Sequence, residues 1–492
     1  MQSKDKKCGI LTAVSSLPSD YGIGCFDEEA YKFIDFLKAS KQDLWQILPT
    51  NPTSYGDSPY QSFSTYAQNP YFIDLEMLVE DKLLTKKDLK ESYLQSKSSY
   101  IDYGNIFYNK MRLLKKAYKK SYLFKNQFIA FKRRNFWLKD YAMFMVLKEA
   151  HGNQAWNTWK DEYKYRDEKA LKRFYKENKE AVEAYMFMQY LYAKQWKNVL
   201  AYAHKQGIEV VGDMPIYVAY DSVEVWANKD LFLLDQWCNP CCVAGVPPDY
   251  FSATGQLWGN PIYNYPKMAE DGYAWWDKRI SYSLKILDYV RIDHFRGFSA
   301  YYTVPFGAPN AINGQWVKGP GMDLFGRINE KYNNPKIIAE NLGLLDDDVN
   351  NLIKDTTYPG MKILEFEVYS YEASRKLANE DPNNVLYPGT HDNNTFIGWY
   401  NENASWEDKN NLHRELNHKD GDNLINNLIK YCYSSNYNYV VFLMQDVLGL
   451  GSETRYNFPG QASGNWQFRF KRGHFSKKLA DKLARYKDKY AK

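Results

Sequence analysis

Residues 288–298 read DYVRIDHFRGF. Val290 and Ile292 alternate with Arg291 and Asp293, which is the period of two that marks a strand. Side chains two apart share a face, so Val290 and Ile292 point one way, toward packed helices, and Arg291 and Asp293 point the other way. Arg291, Asp293, His294 and Arg296 fall within six residues, a poor composition for a core. A buried ion pair is a weak stabiliser, so a purely structural role explains these charges badly. Chemistry explains them better. Arg291 beside Asp293 is expected to hold that carboxylate ionised, and an ionised, desolvated aspartate is a good nucleophile.

Seven further apolar runs resemble this one in length. They are GILTAVSSL (9–17), DLWQILPT (43–50), IEVVGDMPIYV (208–218), KIIAENLG (336–343), MKILEF (361–366), NVLYPGTHD (384–392) and YVVFLMQDVLGL (439–450). Helix-like segments stand between most of them, such as DEEAYKFIDFLKAS (27–40), LLDDDVNNLIKD (344–355) and DGDNLINNLIKYCYSS (420–435). Apolar strands alternating with helical periodicity predict a parallel sheet buried on both faces. Eight such units predict an α/β fold of the (β/α)8 barrel type.

The gap between the second and third runs, 51–207, is too long for a crossover and reads mainly as helix, clearest over 136–152 and 180–206. The expected organisation is one catalytic barrel over 1–492, with a mainly helical insertion at 75–207 and a second insertion at 219–285. About 42 residues follow the last run, too few for a separate C-terminal β-domain.

Composition excludes several classes. The 64 basic and 59 acidic residues leave a charge of only +5, with no basic block, so no nucleic-acid partner is expected. No run approaches the length of a membrane span, and the start is too short for a signal sequence. The six cysteines show no framework spacing, which predicts a reducing cytoplasm. The stretch CNPCC (Cys238, Cys241, Cys242) contains half of a zinc site, but no second pair stands elsewhere. Free thiols and no metal are therefore expected. The 43 tyrosines are mostly core, with a surplus compatible with stacking on sugars.

In a barrel, catalytic groups come from the C-terminal ends of several strands. Four of the eight runs end in carboxylates: Asp213, Asp293, Glu340 and Asp392. An acid after a strand often caps the next helix. Asp213 precedes Met-Pro rather than a helix, and glutamate caps poorly, so the set points to one acidic mouth. The shared negative field is expected to raise Glu340 and keep it protonated as a general acid. A nucleophilic carboxylate with a proton-donating one is the glycosidase arrangement. Retention against inversion stays open at this point, because the sequence does not give their separation.

Longer motifs then carry a resemblance. GDSPYQS (56–62), GDMPIYVAYDSVEVWAN (212–228), GVPPDYFSATGQLWGNP (245–261), RIDHFRGF (291–298), GTHDNNT (389–395) and NFPGQASGNWQFR (457–469) resemble the amylomaltases, the 4-α-glucanotransferases of glycoside hydrolase family 77. The resemblance implies Asp293 as nucleophile, Glu340 as acid/base and Asp392 as a third carboxylate that binds sugar hydroxyls. It implies Arg291, His391 and Asp213 around the sugar whose bond breaks, Tyr60 as an aromatic platform beneath it, and Tyr55 at an outer glucan site. Gln256 and Trp258 fall on a stretch resembling a loop that closes over the donor chain.

The implied reaction is a two-step transfer between α-1,4-glucans, with malto-oligosaccharides as donors, glucose or malto-oligosaccharides as acceptors, and no cofactor. A plain α-glucan hydrolase uses the same three carboxylates, and residue types do not choose between water and sugar as acceptor. A non-catalytic glucan-binding protein would have no need of a nucleophile beside an arginine.

Overall fold

Twelve strands run in chain order in the computed structural model, which describes residues 6–248, 252–343, 345–368, 381–461 and 463–491. They are β1 (Lys7–Leu11), β2 (Leu44–Gln46), β3 (Glu209–Met214), β4 (Cys242–Val246), β5 (Gln256–Pro261), β6 (Tyr289–Ile292), β7 (Ala300–Pro305), β8 (Gln315–Lys318), β9 (Ile337–Ala339), β10 (Gly360–Ile363), β11 (Asn384–Tyr387) and β12 (Tyr439–Leu443). Each of the eight apolar runs holds one strand of a single parallel sheet, ordered β10-β11-β12-β1-β2-β3-β6-β9. Neighbours in sequence are neighbours in space, as a (β/α)8 barrel requires.

The sheet nearly closes. Between β9 and β10 the ladder is replaced by two bonds, Ala339 N–H to the Pro359 carbonyl (2.8 Å) and Met361 N–H to the Asn341 Oδ1 (2.7 Å). All four residues of β6 and of β11 are buried, which fits strands covered on both faces. Gly9 permits β1 and β2 to approach, since a Cβ there would stand 2.6 Å from the Leu44 Cβ.

The outer helices follow elementary rules. The helix Glu28–Ala39 is capped by Asp27, which accepts from the Glu29 N–H, and has Lys38 in its last turn. Its buried residues Ala30, Phe33, Ile34 and Leu37 recur at helical spacing and face the core. Burial of each large side chain contributes about 1.5–3 kcal/mol.

Between β2 and β3 the chain is mainly helical and ends in the 27-residue helix Lys179–Lys205. Its apolar face meets the helices Met111–Tyr118 and Leu138–Ala150. Two buried glutamines on this helix grip the backbone at Gln68 and Asp74, on either side of the 3-10 turn Pro70–Phe72. Gln189 accepts from the Gln68 N–H and donates to the Gln68 carbonyl, both at 2.8 Å. Gln195 does the same at Asp74, at 2.7 and 3.1 Å. The gripped segment follows the loop that carries Tyr60.

A second sheet departs from the expectation that the stretch holding Gln256 and Trp258 is a loop. It is antiparallel, ordered β5-β4-β7-β8. Leu257, Gly245, Tyr302 and Trp316 form one cross-strand row over all four strands. Glycines at 245, 255 and 259 interrupt the apolar alternation that reveals a strand.

All six cysteines are free thiols, Cys241 exposed and Cys238 buried. Among the described residues no cluster of three potential ligands could hold a metal, and no helix is long and apolar enough to cross a membrane.

Candidate active site

The four carboxylates meet at the C-terminal mouth of the barrel. Asp213 is the penultimate residue of β3, Asp293 and Glu340 directly follow β6 and β9, and Asp392 stands in the loop after β11. The register of β3 on β6 sets Asp213 opposite Arg291. Arg291 Nη1 therefore donates first to Asp213, at 2.8 and 2.7 Å, and then to Asp293 Oδ1 at 3.0 Å. Its Nε meets the Met361 Sδ at 3.3 Å. Arg291 and Asp213 are fully enclosed, while the Asp293 side chain keeps 28% exposure.

This geometry corrects the expectation that Arg291 holds Asp293 firmly ionised. Burial pushes the Asp293 carboxyl up to about 7. Arg291 opposes the rise, but it is shared with Asp213, whose charge adds to those of Glu340 and Asp392 in raising Asp293 further. Glu340 also titrates above the ordinary range. Burial is the main cause, and the field of Asp392 that the sequence reading invoked is a minor one. Two backbone donors hold its carboxylate in place, His294 N–H to Oε2 at 2.6 Å and Leu342 N–H to Oε1 at 2.8 Å. Asp293 and Glu340 act on each other, so their protons belong to the pair.

His294 has φ +50° and ψ +48°. This left-handed conformation costs a non-glycine residue about 1–2 kcal/mol, and it places the His294 N–H on Glu340. Burial and the nearby Arg296 push its imidazole down to about 3, so the ring is neutral.

Tyr60 ties the remaining groups together. Its hydroxyl donates to Asp213 Oδ2 at 2.8 Å and meets His391 Nε2 at 2.7 Å, while its ring stacks on the imidazole at 5.1 Å and 12°. Since the hydroxyl proton goes to Asp213, His391 carries a proton on Nε2. That nitrogen also lies 3.2 Å from Asp392 Oδ2. Burial lowers the His391 pKa, yet Asp392 outweighs it and the net shift is upward. Among the described residues the buried Nδ1 has no partner, a cost to the doubly protonated ring.

Asp392 itself titrates below the ordinary range: burial works against this, but His391, the Asn457 amide and Arg291 together prevail. Its side chain is 45% exposed, so solvent tempers the fall.

Gln256 and Trp258 sit on strand β5 rather than on a loop. The Trp258 indole N–H donates to Gln256 Oε1 at 3.2 Å, and its ring meets His294 edge-on at 4.8 Å. Hydrogen bonds link Arg291, Asp213, Asp293, Tyr60, His391 and Asp392 in one network, and Glu340, Trp258 and Gln256 form a second group through His294, the residue after Asp293. The Tyr55 side chain lies outside the described residues.

Sequence reasoning assigned no role to Asn457, Arg455 or Trp466. Asn457 Nδ2 donates to Asp392 Oδ1 at 2.7 Å, and Arg455 Nη2 donates to the Asp392 carbonyl at 2.6 Å. Trp466 packs against both Tyr60 and His391. Asn457 and Trp466 lie within NFPGQASGNWQFR, so the motif marked the stretch without its partners. A small pocket beside the site is lined by Trp466, Pro59, Asp57 and Tyr103 but by none of the four carboxylates.

Comparison with known proteins identifies the family. The family model for glycoside hydrolase family 77, 4-alpha-glucanotransferase, matches residues 12–475. A 4-alpha-glucanotransferase of Clostridium butyricum is 44% identical over 96% of this chain and 98% of its own. That of Thermus thermophilus is 41% identical over 95% of each. The structure of the amylomaltase from Streptococcus agalactiae in complex with acarbose superposes with a TM-score of 0.96 at 37% identity, covering 99% of both chains. A barrel mouth with these carboxylates, matched along nearly the whole chain, places the protein in glycoside hydrolase family 77, the 4-alpha-glucanotransferases.

Proposed function

We propose that the enzyme moves a segment of an α-1,4-glucan to the 4-hydroxyl of another glucan or of glucose, by a retaining double displacement. Asp293 attacks the anomeric carbon. Glu340 protonates the leaving glycosidic oxygen, and a covalent glycosyl-enzyme forms on Asp293. The leaving piece departs, an acceptor 4-hydroxyl enters, and Glu340 removes its proton as the new bond forms.

The observation that carries this reading is the unequal setting of the two raised carboxyls. Asp293 accepts from a guanidinium and reaches solvent, which favours its ionised form. Glu340 is nine-tenths buried and accepts only from backbone N–H groups, a setting that suits the proton donor of the pair. Asp392 stays ionised and binds sugar hydroxyls more strongly as charge develops in the transition state. Arg291, Asp213, His391 and Tyr60 bind and orient the same sugar, and Gln256 and Trp258 cover it and limit water. The acarbose bound to the amylomaltase of Streptococcus agalactiae supports an oligosaccharide at such a site.

The chain works as one catalytic unit, with 75–207 and 219–285 as insertions on the barrel. Six free thiols support a cytoplasmic setting. Incubation with pure maltotriose tests the reading. Longer chains at a constant number of reducing ends are expected. Shortening alone, with reducing ends rising, would make the enzyme a hydrolase.

A further inference from the structure

Arg296 lies three residues past Asp293, is nine-tenths buried, and takes no part in the steps above. Its guanidinium carbon stands 4.0 Å from the centre of the Trp316 ring. Its Nη2 donates to Asp346 Oδ2 at 2.9 Å. Each partner belongs to a different wall of the site. Trp316 is on β8 and ends the row Leu257–Gly245–Tyr302–Trp316, whose far strand β5 presents Trp258 to His294. Asp346 stands six residues past Glu340, to which Leu342 returns its N–H, and its other oxygen caps the helix Asp347–Thr356.

We infer that Arg296 is a positioning residue that fastens the four-stranded cover sheet and the Glu340 loop to the strand end bearing Asp293. The side-chain chemistry suits this task. A planar guanidinium can stack by its face and donate from its edge at once, and an ammonium cannot. Stability alone accounts poorly for the arrangement, because Asp346 is 53% exposed and such pairs contribute little. What the contacts achieve is register. If the link is lost, Glu340 drifts from its buried position and the sheet bearing Trp258 loosens, admitting water to the glycosyl-enzyme. The inference rests on the proposed transfer reaction.

The test uses the full chain with Arg296→Lys, Trp316→Ala, Asp346→Asn and the double variant Arg296→Lys/Trp316→Ala. Maltotriose disproportionation reports transfer, and reducing ends report hydrolysis. Arg296→Lys is expected to lower transfer about tenfold, as small misplacements do, and to raise hydrolysis relative to transfer. Looser packing brings Glu340 toward its ordinary pKa, so the alkaline limb of the rate profile should move to lower pH. Asp346→Asn keeps a capping residue and should show the same two changes. The double variant should be no worse than Arg296→Lys alone, because both break one link.

Lower thermal stability with an unchanged hydrolysis-to-transfer ratio and pH profile would reduce Arg296 to a structural residue. Additive losses in the double variant would also overturn the inference. If Arg296→Lys does not fold, the half-exposed Trp316 and Asp346 positions carry the test. A wild type that only hydrolyses would refute the transfer reading instead, and the shift of the alkaline limb would then judge Arg296.

Discussion

Replacing Asp293 by Asn joins a thermodynamic expectation to a chemical one. An aspartyl carboxyl titrates near 3.8 in the unfolded chain, and burial raises Asp293 to about 7 in the folded one. A carboxyl raised on folding stabilises the protein at low pH. That contribution is fully present below about 4, declines as pH rises, and is lost above about 7. At about 1.36 kcal/mol per pH unit, the upper bound is about 4 kcal/mol. Solvent reaches 28% of the side chain, and the proton is shared with Glu340, so about 1–2 kcal/mol is the realistic figure. Asparagine presents the same oxygen to Arg291 without the charge, and Arg291 keeps both bonds to Asp213. The variant should therefore be more stable than wild type at pH 8 by about that amount, and by less at pH 5. Urea unfolding followed by the fluorescence of the 14 tryptophans measures this directly. Turnover should fall by about ten-thousandfold or more, as expected when a nucleophile is lost. A variant less stable than wild type at pH 8, or a gain equal at both pH values, would refute the raised carboxyl. Retained turnover would refute the nucleophile.

Three further outcomes follow from the same geometry. Asn457→Ala removes the 2.7 Å donor to Asp392 Oδ1; kcat/KM should drop about 10–100-fold with little change in Tm, since a charged acceptor loses its partner, and an unchanged value would make Asn457 incidental. Tyr60→Phe keeps the stack on His391 but cuts the link to Asp213; about a tenfold loss of kcat/KM is expected, whereas full activity would leave Tyr60 as an apolar platform only. Iodoacetamide under native conditions should modify the exposed Cys241 alone, seen as one adduct by mass spectrometry, without loss of transfer. Inactivation would show that the chain just before β4 takes part in covering substrate.

How far the molecule was legible depends on the kind of information each feature needs. The eight barrel strands were readable because parallel strands buried on both faces are short, continuous apolar runs, and β6 and β11 are of this kind. Parity on β6 put Arg291 and Asp293 on one face. Parity cannot give the register between strands, so the stronger partner of Arg291, Asp213 across the ladder, was not visible, and neither was the resulting rise of Asp293. The second sheet was hidden because Gly245 and the flanking glycines break its alternation and because Tyr301 and Tyr302 occupy opposite faces of β7. Asn457 reaches Asp392 across 65 residues of chain, a contact that no local pattern announces.

The grip of Gln189 and Gln195 on the backbone at Gln68 and Asp74 has a consequence for chimeras within this family. A primary amide can set one of its N–H donors beside its carbonyl acceptor, as a residue of a neighbouring strand does with its backbone, so a helix here performs the pairing that an adjacent strand would supply. The loop bearing Tyr60 is thereby indexed to a helix more than a hundred residues later. Segments before β3 can be exchanged between relatives only as matched sets: a graft that shifts the glutamines by one position would rotate them off the segment and displace the tyrosine, although every catalytic carboxylate had been retained.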